Sequence, residues 1–204
     1  MKVFKFGGAS VKDTAGVKNL SSIVHQQHGQ LIVVVSAMGK TTNLLETLCN
    51  AYFHQDPKAT AIMKELKDFH LNIVNSLFPL NDPVYKHLEE LFTNLENILA
   101  SESSLCYDYE YDRIICFGEL ISTTIISDYL KMEGIENQFI DIRKFLKTDQ
   151  NYRNANIDLE LSEQLCKEAF DFKASSIFVT QGFIAGTRTN QTTCLLYTSD
   201  AADE

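Results

Sequence analysis

The sequence has 204 residues, a formal net charge of −9 and 45% hydrophobic residues. A chain of this length can bury the core of one substantial domain. The acidic balance argues against a general nucleic-acid or anionic-membrane surface, because phosphate groups require neutralisation by Lys and Arg. The longest apolar run, residues 31–35, is too short to span a bilayer, and no signal peptide precedes the first predicted strand. We therefore expect a cytoplasmic protein that binds neither nucleic acid nor membrane.

The cysteines and histidines do not predict a metal site. No CxxC pair or Cys/His cluster occurs at metal-ligand spacing. His54, His70 and His87 lie in a helical region, but their spacing places no two of them on one helical face. We expect surface or partner-contact histidines and reduced, mostly buried thiols at Cys49, Cys106, Cys116, Cys166 and Cys194.

The first predicted strand, residues 3–6, ends in a glycine corner with the sequence KFGGAS. Gly7 and Gly8 allow positive φ and close approach of a ligand to the backbone, and the Ser10 hydroxyl can cap the following helix. Lys5 adds a mobile positive charge beside the corner. This combination favours a phosphate site, although a plain strand, turn and surface lysine would give the same local pattern.

The second predicted strand is the apolar, mostly β-branched run Leu31–Val35, which is typical of a parallel strand covered on both faces. The loop after it imitates the end of a Walker A motif. However, the first glycine of that motif would fall at position 34, which is a valine inside the strand, so no phosphate-binding loop can form there. Ser36 and Thr42 are candidate binding hydroxyls, and helix capping is the alternative use of both.

The remaining pattern alternates helices and strands. Helical periodicity fills residues 44–105, with a break at 79–83, and this helical insert can carry a lid or a dimer contact. A long helix through residues 114–130 contains Glu119, whose buried carboxylate would need a cationic partner. Strands at 137–141 and 176–180 flank a helix near 162–172. The order predicts an α/β fold, a three-layer αβα sandwich with a mainly parallel sheet.

Four stretches of the chain resemble the aspartokinases of the amino-acid kinase family. KFGGASV (residues 5–11) is similar to the family's KFGGTSV signature, and VVSAMGKTTNLL (34–45) to its second motif. FGE (117–119) matches a third motif, and QGFIA (181–185) is similar to the family's QGFIG. The resemblance implies the amino-acid-kinase fold and transfer of the γ-phosphoryl group of ATP, bound with Mg²⁺, to the side-chain carboxylate of L-aspartate. That reaction begins lysine, threonine and methionine synthesis.

The resemblance also implies roles for individual residues. The catalytic residue would be Lys5, which would stabilise the transferring phosphoryl group. Ser36 and Thr42 would orient aspartate, and Glu119 would hold its ammonium group. The nucleotide contacts would be Lys5, Phe6, Gly7, Gly8 and Ser10.

The resemblance stops close to residue 193. In aspartokinases a threonine pair leads into a Leu-Gly-Arg-Gly-Gly-Ser-Asp loop that supplies the catalytic aspartate, whereas Thr192 and Thr193 are followed by CLLYTSDAADE. We interpret residues 1–193 as a partial, carboxy-terminally truncated kinase domain and 194–204 as a non-native tail, joined at or just after Thr193. No catalytic role is assigned to Ser199 or Asp200.

Two alternatives stay open at this stage. The chain could belong to another kinase of the same fold, acting on glutamate, acetylglutamate, carbamate or UMP. It could also be a non-catalytic remnant that binds only nucleotide or a partner subunit. For a full-length parent, the resemblance implies a homo-oligomer.

Overall fold

The computed structural model describes residues 1–195 of the chain. Its main sheet contains four strands, β1 (Lys2–Phe6), β2 (Leu31–Val35), β3 (Gln138–Ile140) and β5 (Ile177–Gln181). They lie in the order β1-β2-β5-β3, and each pairs with its neighbours in parallel. Their carboxyl ends therefore meet at one edge. The four predicted strands and the mainly parallel sheet are confirmed.

A smaller sheet follows at the end of the described chain. It contains β4 (Lys147–Thr148), β6 (Ile184–Thr187) and β7 (Thr192–Cys194), in the order β4-β6-β7. β4 pairs with β6 in parallel, whereas β6 and β7 are antiparallel. These strands have two to four residues, which is too short for an alternating pattern to reveal them.

A helix packs against one face of the main sheet, and the segment that follows the last described helix packs against the other. Residues 1–195 form seven α-helices, which are α1 (Thr14–His25), α2 (Thr41–Phe53), α3 (Lys58–Leu77), α4 (Val84–Ala100), α5 (Tyr107–Ile115), α6 (Phe117–Met132) and α7 (Leu159–Ala169). The helix α6 lies against β2, β3 and β5. On the opposite face, the rings of Phe170 and Phe172, just after α7, pack edge-on against Phe178. The α/β class is thereby confirmed.

The strand β2 differs from its prediction in one respect. Leu31, Val33 and Val35 are buried, but the alternate residues Ile32 and Val34 are only partly buried. The cover expected on both faces is therefore complete on one face only.

The start of α1 corrects the prediction for Ser10. A 3₁₀ turn occupies residues 8–11, and α1 begins at Thr14. Its cap is Asp13, whose side chain accepts a hydrogen bond from Gly16 N–H at 2.9 Å. Ser10 lies too early in the chain to cap this helix.

The predicted helical insert is present as α2, α3 and α4. One histidine in it is not at the surface. His70 is fully buried, with Nδ1 2.8 Å from Leu66 O and Nε2 3.4 Å from Thr41 Oγ1. Burial lowers the pKa of His70 to about 4. The prediction of a surface or partner-contact histidine is therefore wrong for His70, which is a neutral core residue.

The described cysteines are all free, and Cys49, Cys116 and Cys194 are buried. Residues 1–195 contain no cluster of three or more His, Cys, Asp or Glu side chains able to hold a metal ion. None of the helices in that range is both long and apolar enough to cross a membrane.

The two residues after the predicted junction continue the fold. Cys194 is the last residue of β7 and is fully buried, and Leu195 N–H donates to Phe183 O at 2.8 Å. Residues 196–204, including Ser199 and Asp200, lie outside the described residues. The junction near Thr193 stays a prediction.

Candidate active site

Three loops meet at the carboxyl edge of the main sheet. Ser36 N–H donates to Phe6 O at 3.1 Å, and Gly39 N–H donates to Gly8 O at 3.0 Å. On the other side, Gly182 N–H donates to Val35 O at 3.0 Å. The glycine corner, the loop after β2 and the loop after β5 are thus joined by backbone hydrogen bonds. In open α/β sheets this edge is where ligands bind.

Close packing against the loop after β2 explains Gly8 and Gly118. A Cβ on Gly8 would lie 2.6 Å from Ala37 O, and a Cβ on Gly118 would lie 2.8 Å from Ala37 Cβ. A Cβ on Gly7, in contrast, would meet nothing within 4 Å. Neither residue of the corner has positive φ, so close contact, rather than left-handed backbone, requires the glycine at position 8.

Glu119 lies in the first turn of α6, beneath the loop after β2. Its side chain is buried, with 2% exposure for the residue. The Oε1 atom accepts a hydrogen bond from Ala37 N–H at 3.1 Å, whereas Oε2 has no hydrogen-bond partner among residues 1–195. Burial raises the pKa of Glu119 to about 8, and the Ala37 hydrogen bond offsets only part of that rise.

Neither solvent nor a cation of the described chain satisfies the Glu119 carboxylate. The side chain does not face solvent, and no lysine or arginine of the described chain forms an ion pair with it. A buried carboxylate with one vacant oxygen can accept a hydrogen bond from a ligand cation.

The two candidate hydroxyls lie on the loop after β2 and at the start of α2. Ser36 is half-buried, and a Cβ built on Gly182 would lie 3.7 Å from its hydroxyl oxygen. Thr42 is half-buried in the first turn of α2. The residue that caps α2 is Lys40, and it does so without a side-chain hydrogen bond. Neither hydroxyl caps α2, so the capping alternative is wrong for both.

The glycine corner carries charges that make no ion pair within the described chain. Lys5 is exposed on β1 beside Val34, and Ser10 is exposed at the end of the 3₁₀ turn. Phe6 is buried and contributes its backbone carbonyl to the loop contact. Sequence reasoning missed Lys12, whose Cβ would lie 3.3 Å from a Cβ on Gly39. The Lys5 and Glu119 side chains form neither a hydrogen bond nor an ion pair with each other.

Sequence reasoning also missed the residues that hold Glu119 in place. Ser122, one helical turn later on α6, donates from Oγ to Ser36 O at 2.8 Å. Thr123 Oγ1 donates to Glu119 O at 2.7 Å and accepts from Gln181 Nε2 at 2.9 Å. The i+3 spacing from Glu119 was the available signal for Ser122, since such residues share a helix face.

Comparison with known proteins identifies the class to which this fold and site belong. The amino acid kinase family model matches residues 1–202. The chain belongs to the amino acid kinase family.

The more similar relatives are aspartokinases. The chain is 26% identical over 196 residues to the aspartokinase of Chlamydia muridarum, covering 95% of this chain and 41% of the relative. It is also 26% identical to lysine-sensitive aspartokinase 3 of Escherichia coli, covering 95% of this chain and 42% of the relative. The chain thus spans about two fifths of the length of these curated relatives.

Solved structures agree with this relationship. E. coli aspartokinase III in complex with aspartate and ADP superposes with a TM-score of 0.84 at 25% identity, over 95% of this chain and 43% of that one. Aspartate kinase of Clostridium acetobutylicum gives a TM-score of 0.72 at 25% identity, over 94% of this chain and 41% of that one.

Proposed function

We propose that this chain carries the amino-acid-binding part of an aspartate kinase, which phosphorylates the side-chain carboxylate of L-aspartate with ATP. The observation that carries the proposal is the buried Glu119 carboxylate, whose Oε2 atom has no partner among residues 1–195. An uncompensated carboxylate is costly to bury, and an α-ammonium group would supply both charge and hydrogen bonds. The structural similarity of this chain to an aspartokinase in complex with aspartate supports aspartate as the amino acid.

The surrounding residues fit the remaining parts of the substrate. Ser36 and Thr42, on either side of the loop after β2, would orient the carboxylates of aspartate. Lys5 would oppose the negative charge that develops on the transferring phosphoryl group. This chemistry depends on positioning and charge neutralisation, so side chains held by a rigid sheet edge suit it.

The described residues also fit a nucleotide at the glycine corner. Gly7 has open space where a Cβ would project, and Lys5, Lys12 and Lys40 are exposed cations close to the corner. The part of the chain in residues 1–195 offers no metal-binding cluster of its own. Mg²⁺ ordinarily binds through substrate phosphates with one or two carboxylates, so it would arrive with ATP. When bound, MgATP supplies the phosphoryl group.

The binding test uses isothermal titration of the purified chain with L-aspartate and, separately, L-glutamate. We expect aspartate to bind more tightly, and Glu119→Gln to weaken binding by about tenfold or more because the ammonium loses a charged acceptor. Glu133→Gln is the matched control, since Glu133 is exposed just after the same helix. Equal affinity of the Glu119→Gln variant and the control would refute the assignment.

Catalysis is tested by trapping the acyl phosphate as its hydroxamate with each candidate substrate. Hydroxamate from aspartate alone supports an aspartate kinase and its place at the start of lysine, threonine and methionine synthesis. Hydroxamate from glutamate would indicate another kinase of this fold. Binding without hydroxamate would favour a non-catalytic remnant. The expected cytoplasmic location and the homo-oligomer of a full-length parent belong to the same proposal and are tested by fractionation and light scattering.

A further inference from the structure

Asp112 is a buried carboxylate that the proposed reaction does not use directly. It lies on α5, is fully buried and accepts two backbone hydrogen bonds on the same oxygen. Its Oδ2 atom is 2.9 Å from Arg153 N and 2.9 Å from Cys194 N. One side chain therefore holds together two segments that are 41 residues apart in sequence.

Both hydrogen bonds depend on backbone position rather than on the identity of the donor residue. Arg153 has φ +63°, a left-handed conformation that costs energy in a non-glycine residue. Cys194 ends β7, and any residue except proline would donate the same hydrogen bond there. Burial raises the pKa of Asp112 to about 6, and the hydrogen bonds from Arg153 and Cys194 oppose that rise.

Asp112 and Glu119 lie on consecutive helices. α5 and α6 are separated only by Cys116, and the two acids are seven residues apart in sequence. The buried Cys194 thiol lies close to both carboxylates. Burial is the largest cause of its raised pKa, and the nearby Asp112, Cys116 and Glu119 raise it further.

A short series of contacts leads from Asp112 to the candidate active site. Beyond Cys194, Leu195 N–H donates to Phe183 O at 2.8 Å. Phe183 has φ +66°, so its conformation also needs support from its surroundings. It follows Gly182, which packs beside the Ser36 hydroxyl. A shift of β7 would therefore move the wall of the site that Ser36 faces.

We propose that Asp112 is a positioning residue, which fixes β7 and the Gly182-Phe183 corner against the helix that carries Glu119. Its carboxylate clamps the amides of Arg153 and Cys194, and β7 transmits that position to Phe183. The consequence for amino-acid affinity rests on the proposed function, whereas the clamp itself does not.

The experiment measures amide hydrogen exchange, residue by residue, in the whole chain and in its Asp112→Ala and Asp112→Asn variants. Asp112→Ala should speed exchange at Arg153, Cys194 and Leu195 by about tenfold to a hundredfold, the usual effect of losing a charge-assisted hydrogen bond. Asp112→Asn keeps an acceptor oxygen without its charge, so the same amides should exchange only a few-fold faster.

Asp108→Ala is the matched control. Asp108 lies on the same helix and contacts the guanidinium of Arg153, at 3.1 Å, rather than its amide. This variant should leave the Cys194 and Leu195 amides protected. Unchanged exchange at Cys194 in Asp112→Ala would overturn the proposal. If that variant does not fold, unchanged exchange in Asp112→Asn overturns it instead.

Titration with L-aspartate then tests the link to the site. Asp112→Ala should weaken binding by about tenfold, Asp112→Asn should restore most of the affinity, and Asp108→Ala should match the unaltered chain. Equal affinities in all variants would overturn the positioning role. If the unaltered chain fails to bind aspartate, the proposed function is overturned, and amide exchange alone decides whether Asp112 is the clamp.

Discussion

Raising the pH from 6.5 to 8 should destabilise this protein through Glu119. The pKa of Glu119 is about 8 in the folded chain, against an ordinary value of 4.5. Over this range the folded state keeps a proton that the unfolded state has already lost, so the free energy of unfolding falls as pH rises. The slope is about 1.36 kcal/mol per pH unit while the folded state keeps the whole proton and falls to half of that at pH 8, which gives a loss of about 1.6 kcal/mol over the interval.

Other groups whose pKa values are shifted contribute little to the change in stability between pH 6.5 and 8. The pKa of Asp112 is raised to about 6, so its own loss of stability, which begins near pH 3.8, is almost complete by pH 6.5. His70, lowered to about 4, acts in the opposite direction, and stability gained from it is complete once pH exceeds its ordinary value of 6.5. The thiols of Cys49 and Cys116 have pKa values raised to about 12, and they reduce stability only at higher pH.

The assay is urea denaturation at half-unit steps of pH, for the unaltered chain and for Glu119→Gln. The glutamine has the same shape, can accept the Ala37 hydrogen bond and does not titrate. We expect the slope between pH 6.5 and 8 to disappear in this variant and to remain in Glu133→Gln. An identical slope in the unaltered chain and Glu119→Gln would refute the account of a buried, partnerless carboxylate.

Three further predictions test the corner and the thiols. Gly8→Ala should destabilise the chain by about 1–3 kcal/mol through its clash with a backbone carbonyl, whereas Gly7→Ala should not, and denaturation compares the two. In a complete kinase, Lys5→Ala should lower the rate of hydroxamate formation by a factor of about 10²–10³ with little change in aspartate affinity. The control variant Lys18→Ala, on α1, should leave the rate unchanged. An unchanged rate in Lys5→Ala would contradict the role assigned to Lys5. Cys106, the exposed thiol of residues 1–195, should react first with a thiol reagent, and earlier labelling of a buried cysteine would contradict the packing.

The main sheet was predictable because its strands have strong local signals. Leu31–Val35 is a continuous apolar run that is β-branched from Ile32 onward, and turns or helices separate it from the other strands. The strands β4, β6 and β7 were not predicted, since two to four residues carry no readable period. Their pairing depends on contacts between segments distant in sequence.

The burial of Glu119 was predictable from the sequence, but the contacts that support it were not. Glu119 stood out as a carboxylate among apolar neighbours on a helix, and the structure buries it as expected. Asp112 gave no such signal, because the polar, aromatic stretch around it looks solvent-exposed in sequence. Likewise, nothing local shows that His70 is buried, because its burial depends on tertiary packing. The Asp13 cap of α1 is a local hydrogen bond to Gly16, so the sequence did carry a signal for it.

The most direct test of the central claim is the number of protons released when L-aspartate binds. Titration calorimetry at pH 7, in two buffers of different ionisation enthalpy, measures that number. Glu119 has a pKa near 8 when empty and must ionise to pair with an ammonium group, so binding should release close to one proton. Glu119→Gln should release none. Binding without proton release in the unaltered chain, or equal release in both, would contradict the assignment of Glu119 as the ammonium acceptor.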